Sequence, residues 1–164
     1  YGVKPDVMTV AKALGNGLPI GAFLACKGAA KVMEPGDHGT TYGGNPLVCA
    51  AADKVLELFE EKNLVAHVQE IGQYLWEELE ALAGRLDCVA AHRGKGLMQG
   101  LELSMPVGPV VKTALLEEHL VLNSAGSQVI RFVPPLVIEK EDVDEMIVRL
   151  ERAVKSVVRS VAEA

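Results

Sequence analysis

The sequence contains few aromatic side chains. Phe, Trp and Tyr together account for 4% of the 164 residues, which is too few for the stacking platforms that bind single-stranded nucleic acids. The formal net charge of −6 also disfavours a nucleic-acid or anionic-membrane surface, although it leaves room for a local basic pocket that binds a small anion. We therefore expect no nucleic-acid partner.

Long apolar runs and cysteine motifs are missing as well. We find no stretch of about 18 apolar residues that could span a bilayer and no secretory leader, so we expect no membrane association. The three cysteines, Cys26, Cys49 and Cys88, are too widely spaced for a metal-binding or redox motif. We expect no metal site, and unpaired thiols of this kind are typical of a reducing cytoplasm.

The first residues are YGVKPD, without an initiating methionine. This opening is typical of a loop inside a longer protein, so we expect the chain to be a fragment. The composition itself is that of a globular protein, with 49% apolar and 23% charged residues.

Two kinds of pattern follow each other along the chain. Up to about residue 62, short β-branched segments and glycine-rich turns predict buried strands at 7–10 and 20–26, and then a helix that begins at Asn45–Pro46. Beyond that point, apolar residues at helical spacing predict long helices, with short strands between them. The terminal helix has an apolar face composed of Val143, Ile147, Leu150, Val154 and Val161. We expect an α/β unit over 1–62 and a compact α+β unit over 63–164.

One lysine stands where an apolar segment meets a glycine-rich turn. In TVAKALGNGLPIGA, residues 9–22, Lys12 follows a predicted strand and precedes Gly15 and Gly17. An amine at a buried strand end can reach a carbonyl group, and burial favours its neutral, nucleophilic form. The alternative is a surface lysine whose ammonium group reaches water past the glycines, which is the commoner case.

A polar loop precedes the predicted helix at residue 45. In HGTTYGGNP, residues 38–46, the hydroxyls of Thr40 and Thr41 lie beside glycines. Hydroxyls, backbone N–H groups and the helix dipole together suit a phosphate group, while an ordinary hydroxyl-capped helix start is the equal alternative. Together with Lys12, the loop suggests an amine nucleophile and a phosphorylated carbonyl cofactor, and pyridoxal 5′-phosphate meets both requirements.

A third candidate is Arg131, which lies between apolar pairs in VIRFV. A guanidinium group in such surroundings needs an anionic partner, and a planar carboxylate matches its geometry. A strand residue that points into solvent is the equal alternative.

Four motifs together resemble one enzyme family. PDVMTVAKALGNGLPIGA is similar to the lysine motif of the class III, ornithine-aminotransferase-like aminotransferases, and HGTTYGGNPL is similar to their phosphate loop. RGKGLMQGLEL and VIRFVPPLVI resemble their small-domain motifs. The motifs occur in the family's order over nearly the whole chain, with the acetylornithine branch as the nearest match. The resemblance implies a fold type I pyridoxal-phosphate transferase, with 1–62 as the C-terminal part of the large domain and 63–164 as the small domain.

The resemblance also implies a role for each candidate residue. Lys12 would bond covalently to pyridoxal phosphate and move the proton during amino transfer. Thr41 would bind the cofactor phosphate across the interface of a homodimer, and Thr40 would face the substrate. Arg131 would pair with a carboxylate of the substrate or of a switching glutamate. The implied reaction transfers an amino group from acetylornithine, or a related ω-amino acid, to 2-oxoglutarate in cytoplasmic arginine biosynthesis.

The chain departs from the family in length. Such enzymes are more than twice as long, and their upstream part carries the aromatic residue that stacks on the cofactor, a glycine-rich phosphate loop and the aspartate that pairs with the pyridinium nitrogen. We therefore expect the parent to be an enzyme and the isolated chain to be inactive. The alternative is a non-catalytic folding or assembly module derived from the same fold.

Overall fold

The computed structural model describes residues 2–163. It divides into two compact units, one that extends to Asn63 and one that begins at Leu64. Residues 1 and 164, the outer ends of the two predicted ranges, lie outside the described residues. The fold mixes helices and sheets in both units, as predicted.

The first unit contains one short antiparallel strand pair and one long helix. Its regular elements are β1 (Val7–Val10), a 3-10 helix that we name the Lys12 turn (Lys12–Gly15), β2 (Ala22–Ala25), α1 (Lys27–Ala30) and α2 (Pro46–Glu61). The predicted start of α2 is correct: Asn45 is the N-cap residue, and the proline takes the first helical position, where its missing N–H is not needed. The Lys12 turn packs against α2.

The strands β1 and β2 lie where the sequence predicts strands, but the prediction that they are buried is wrong. Met8 is 47% exposed and Leu24 is 52% exposed. Within the described residues the two strands pair only with each other. A strand is buried on both faces only when other layers cover its sheet, so an apolar sequence is not sufficient here.

The second unit is a four-stranded antiparallel sheet backed by helices. Its elements are α3 (Leu64–Ala83), β3 (Val89–Lys95), β4 (Met98–Leu103), α4 (Gly108–Leu116), β5 (Asn123–Ala125), β6 (Val129–Phe132) and α5 (Lys140–Ala162). The strand order is β3-β4-β6-β5, with every neighbouring pair antiparallel. Both α3 and α4 contact α5. A glycine turn joins β3 to β4.

One continuous apolar core fills the second unit. Leucines from α3, β4 and α5 are completely or almost completely buried in it: Leu75, Leu79, Leu82, Leu101, Leu103 and Leu150. The helix α5 begins with a capping box, in which the Glu139 N–H donates to the Asp142 carboxylate. Four of its five predicted core residues are buried, whereas Val161 is 68% exposed because the last turn of α5 extends past the packed layer.

No helix within residues 2–163 combines the length and the apolar composition that crossing a bilayer requires.

Candidate active site

Lys12 has an unusual backbone conformation. Its φ is +54°, in the left-handed region that non-glycine residues seldom adopt, and it follows an extended Ala11. Such a conformation costs on the order of 1–3 kcal/mol and persists only where the surrounding structure maintains it. Its side chain is exposed, and within the described residues its amine has neither a hydrogen bond nor an ion pair. The amine is therefore available to an external group.

The Lys12 turn is anchored at its other end by a buried glycine. Gly15 is buried, and a Cβ placed on it would lie 2.7 Å from Cγ2 of Ile20, which is shorter than any normal carbon–carbon contact. The Asn16 that follows has a φ of +45° and donates its N–H to the Ala13 carbonyl. Sequence reasoning identified the glycines only as turn formers, because the contact with Ile20 exists only in three dimensions.

The polar loop at residues 38–46, which we name the threonine loop, is closed by two side-chain hydrogen bonds. The Gly43 N–H donates to Thr40 Oγ1 at 3.1 Å, and the Asn45 Nδ2 group donates to the Tyr42 carbonyl at 2.9 Å. Asn45 Oδ1 also accepts from the Val48 N–H at 3.2 Å and so caps α2. Thr41 is exposed, and within the described residues its hydroxyl has no hydrogen-bond partner. The structure therefore distinguishes the two threonines: Thr40 shapes the loop, and Thr41 has a free hydroxyl.

Both candidate cofactor segments are attached to the same helix. The Lys12 turn packs against α2, and the threonine loop leads directly into the first residue of α2. Val48 and Ala52, in the first half of α2, are the buried side chains of the first unit as far as it is described. The Thr41 hydroxyl, which precedes the positive end of the α2 dipole, suits a phosphate group, and the Lys12 amine, which is unpaired within the described residues, suits an aldehyde.

Arg131 lies in the second unit, on the opposite side of β6 from the core. Its neighbours Ile130 and Phe132 are buried, whereas Arg131 itself is exposed and has no ion pair among the residues that the structure describes. It borders a cavity of about 480 Å³ whose walls are largely apolar and include Leu122 and Met146. A guanidinium group at such a cavity suits a ligand that carries a carboxylate.

The structure shows a buried polar network around His92. The side chain of His92 is 2% exposed, and its Nδ1 lies 2.7 Å from the Glu80 carboxylate. Its ring stacks on Trp76, with the ring centres 4.0 Å apart. Its Nε2 lies 3.0 Å from Oε1 of Gln99, whose Nε2 donates to the carbonyls of Gly72 and Gly96.

This network fastens the β3–β4 hairpin to α3. Because the Gln99 Nε2 group donates to two carbonyls, the amide is oriented with its oxygen toward His92. That oxygen can only accept, so His92 Nε2 carries a hydrogen. The four-residue spacing of Trp76 and Glu80, which places both on one helix face, was the only local signal. None of these hydrogen bonds involves Arg131, the candidate residue of the same unit.

Polar groups also join α3 to α5. The Tyr74 hydroxyl donates to the Asp144 carboxylate, and this hydrogen bond raises the pKa of Tyr74 to about 12. Lys140 pairs with Glu70 at 2.7 Å, which raises the pKa of the lysine and lowers that of the glutamate. Partial burial raises the pKa of the Cys88 thiol. None of these groups is among the side chains that line the cavity beside Arg131.

The cysteines remain free thiols. Cys26 and Cys49 are exposed and Cys88 is half-buried. Within residues 2–163, no group of His, Cys, Asp and Glu side chains is close enough together to hold a metal ion.

Comparison with protein families matches the aminotransferase class-III family over residues 1–154. Similar curated proteins include the acetylornithine aminotransferase of Gloeobacter violaceus, 49% identical over 151 residues, which are 92% of this chain and 38% of that protein. The acetylornithine aminotransferase of Methanocaldococcus jannaschii is 44% identical over 151 residues, with the same two coverages of 92% and 38%. The succinylornithine transaminase of Photorhabdus laumondii is 44% identical over 157 residues, which are 94% of this chain and 39% of that protein.

Solved structures give the same result. The acetylornithine aminotransferase of Elizabethkingia anophelis superposes with a TM-score of 0.85 at 32% identity, and the match covers 94% of this chain and 40% of that one. The ornithine δ-aminotransferase of Plasmodium falciparum superposes with a TM-score of 0.88 at 34% identity, with the same coverages of 94% and 40%. The chain therefore spans about two-fifths of the length of the relatives it matches.

Proposed function

Because the chain belongs to the aminotransferase class-III family, whose members depend on pyridoxal phosphate, we propose that it provides the covalent lysine of an aminotransferase. In the full-length parent, the reaction transfers an amino group from acetylornithine, or a related ω-amino acid, to 2-oxoglutarate in arginine biosynthesis. Support for this substrate class comes from the relatives, which are named for acetylornithine and succinylornithine. Both names describe ornithine with an acyl group.

One observation supports the role of Lys12 more than any other. Its amine is exposed and unpaired within the described residues, and its backbone is maintained at a φ of +54° by the structure around it. A surface lysine of no function needs no such conformation. Strained backbone conformations cluster at functional sites, so this one favours the reactive amine over a surface lysine.

The bound cofactor would supply a carbonyl group for the amine and a ring that accepts the electron pair released at the reacting carbon. Lys12 would hold the cofactor covalently and then act as the base and acid that moves the proton at the reacting carbon. The free hydroxyl of Thr41 would donate across the homodimer interface to the phosphate of the partner subunit's cofactor. Thr40 Oγ1 already accepts from the Gly43 N–H, and its remaining O–H group would face the substrate.

Arg131 would bind a carboxylate. In our proposal its guanidinium group pairs with the carboxylate of the substrate or of a switching glutamate, while the apolar wall of the neighbouring cavity excludes water.

We further propose that residues 1–62 are the C-terminal part of the large cofactor-binding domain and that residues 63–164 are the small domain. The parent would act in the cytoplasm as a homodimer in which Thr41 serves the partner subunit. Three free thiols are compatible with a reducing compartment.

The chain on its own would have no appreciable activity. It spans 38% of the length of relatives such as the acetylornithine aminotransferase of Gloeobacter violaceus, and electrostatic preorganisation by a complete site is usually the largest catalytic contribution. The second candidate is therefore a non-catalytic folding or assembly module. The complete apolar core of the second unit favours this alternative for the isolated chain.

The test is covalent labelling of the full-length parent. The protein is incubated with pyridoxal phosphate, reduced with borohydride and digested, and the modified peptide is identified by mass spectrometry. We expect the label on Lys12 and no label at that position in Lys12→Arg, which keeps the charge but not the nucleophile. A label on a different lysine would refute the assignment.

Transamination assays then address the substrate and the alternative function. Acetylornithine, succinylornithine and ornithine are compared as amino donors, with 2-oxoglutarate as acceptor. We expect the parent to turn over the acylated donors at a rate on the order of 10 per second, and the 164-residue chain to give no measurable turnover. An inactive parent that nevertheless folds would favour the assembly module.

A further inference from the structure

The backbone of the Lys12 turn is held in a defined conformation. Left-handed backbone flanks it at both ends, at Lys12 (φ +54°) and at Asn16 (φ +45°), although neither residue is a glycine. Between them, the Leu14 N–H donates to the Ala11 carbonyl and the Asn16 N–H donates to the Ala13 carbonyl. The direction in which the Lys12 side chain leaves the backbone is therefore determined by a closed turn.

The last residue of the Lys12 turn packs so closely against its surroundings that no side chain fits there. Gly15 is the buried residue of the turn, and a Cβ there would approach Ile20 Cγ2 to 2.7 Å. Gly15 itself does not need to be glycine for conformational reasons, because its φ is outside the left-handed range. The missing Cβ therefore serves packing, and the packing partner is a β-branched side chain that cannot readily move its Cγ2 away.

We propose that Gly15 is a positioning residue. Because it has no side chain, the Lys12 turn can pack closely against Ile20 and α2, and this packing determines the position of the Lys12 amine. This inference rests on the proposed function, since it concerns the same lysine. It predicts that Gly15→Ala forces the turn outward by a large fraction of an ångström and displaces the amine. The threonine loop should be unaffected.

The test compares two ligands in the full-length parent. Pyridoxal phosphate needs the Lys12 amine to form its covalent bond, whereas pyridoxamine phosphate, which has no aldehyde, does not. For Gly15→Ala we expect the covalent bond to form roughly ten- to a hundred-fold more slowly. The rate is measured by trapping the bond with borohydride and quantifying the labelled Lys12 peptide. Affinity for pyridoxamine phosphate should stay within about two-fold, whereas a purely structural defect would reduce both together.

Rescue and control variants are available in the same segment. Ile20→Leu removes the clashing Cγ2 at nearly constant volume, so Gly15→Ala combined with Ile20→Leu should recover most of the rate. Gly21→Ala is the matched control, because its Cβ would meet only ordinary contacts, at 3.6 Å from the Val10 carbonyl and 3.9 Å from the Ala11 Cβ. It should bond to the cofactor at the rate of the unaltered protein.

Asn16→Gly covers the case in which Gly15→Ala does not fold. It adds no atoms and frees the backbone at the end of the turn, so we expect a smaller loss of bonding rate in the same direction. If Lys12 is labelled in the unaltered parent and all these variants bond at its rate, only the positioning role fails. If the unaltered parent is labelled elsewhere, the proposed function and this inference both fail.

Discussion

The two units of this chain differ in how much of their apolar surface they bury. In the first unit, Met8, Phe23 and Leu24 of the strand pair are about half exposed. In the second unit, Leu79 and Leu101 are completely buried inside a continuous core. Three of the four candidate site residues nevertheless belong to the first unit. The region proposed for chemistry is therefore the region that buries less of its own apolar surface.

The largest expected effect separates the units physically. Expressed alone, residues 64–164 should unfold in one cooperative transition, because their core is complete, whereas residues 1–63 should show no transition since too little apolar surface is buried. Thermal denaturation followed by far-ultraviolet circular dichroism provides the measurement, with the 164-residue chain as reference. A cooperative transition in the 1–63 piece would remove the contrast.

Matched leucine substitutions sharpen the same comparison. Leu101→Ala empties a site that is 0% exposed, so the free energy of unfolding should fall by about 2–5 kcal/mol. Leu24→Ala alters a side chain that is 52% exposed, so the change should be within about 0.5 kcal/mol. Urea denaturation of both variants in the whole chain measures the difference. Equal losses would show that β2 is buried in solution.

A third prediction compares polar contacts in the two units. Gln99→Leu removes the amide that joins His92 to the Gly72 and Gly96 carbonyls, and unsatisfied buried groups should lower the free energy of unfolding by about 1–3 kcal/mol. In the first unit, Asn45→Ala removes the cap of α2, and the local stability of the helix should fall by about 1 kcal/mol. Hydrogen exchange at the Val48 amide reports the second effect separately.

The smallest effect depends on pH. The pKa of Tyr74 is raised from 10.0 to about 12 because its hydroxyl donates to Asp144. The contribution of this bond to stability is therefore complete below the unfolded pKa of about 10 and is lost as pH rises toward about 12. Tyr74→Phe should be slightly less stable than the unaltered chain at pH 8, and this difference should disappear at high pH. A difference that grows with pH would contradict the assignment.

Local sequence patterns predicted the regular elements well. β1 has the predicted bounds, β2 (Ala22–Ala25) lies inside the predicted range 20–26, and α2 begins at the predicted asparagine and proline. These features depend on the spacing of apolar residues along the chain and on helix-capping residues, both of which can be read from the sequence. Burial of β1 and β2 was predicted incorrectly because it depends on which layers cover a sheet.

The candidate site was only partly predictable for a similar reason. Motif resemblance identified Lys12, Thr40, Thr41 and Arg131, and their proposed roles remain to be tested. The left-handed backbone at Lys12 and the bond from Gly43 to Thr40 arise from turn geometry that residue types do not specify. The His92 network joins groups as far apart as Gly72 and Gln99, and no local pattern reveals such a pairing.

The open strand pair of the first unit has a consequence for handling the protein. Residues 20–26, which include β2, contain neither a charge nor a proline, and short uncharged strand segments of this kind are prone to intermolecular pairing. In the described residues, β2 pairs only with β1 and so leaves an edge free. When the chain is produced by itself, aggregation should start at this edge, and a lysine introduced at Phe23 is the simplest means of preventing it.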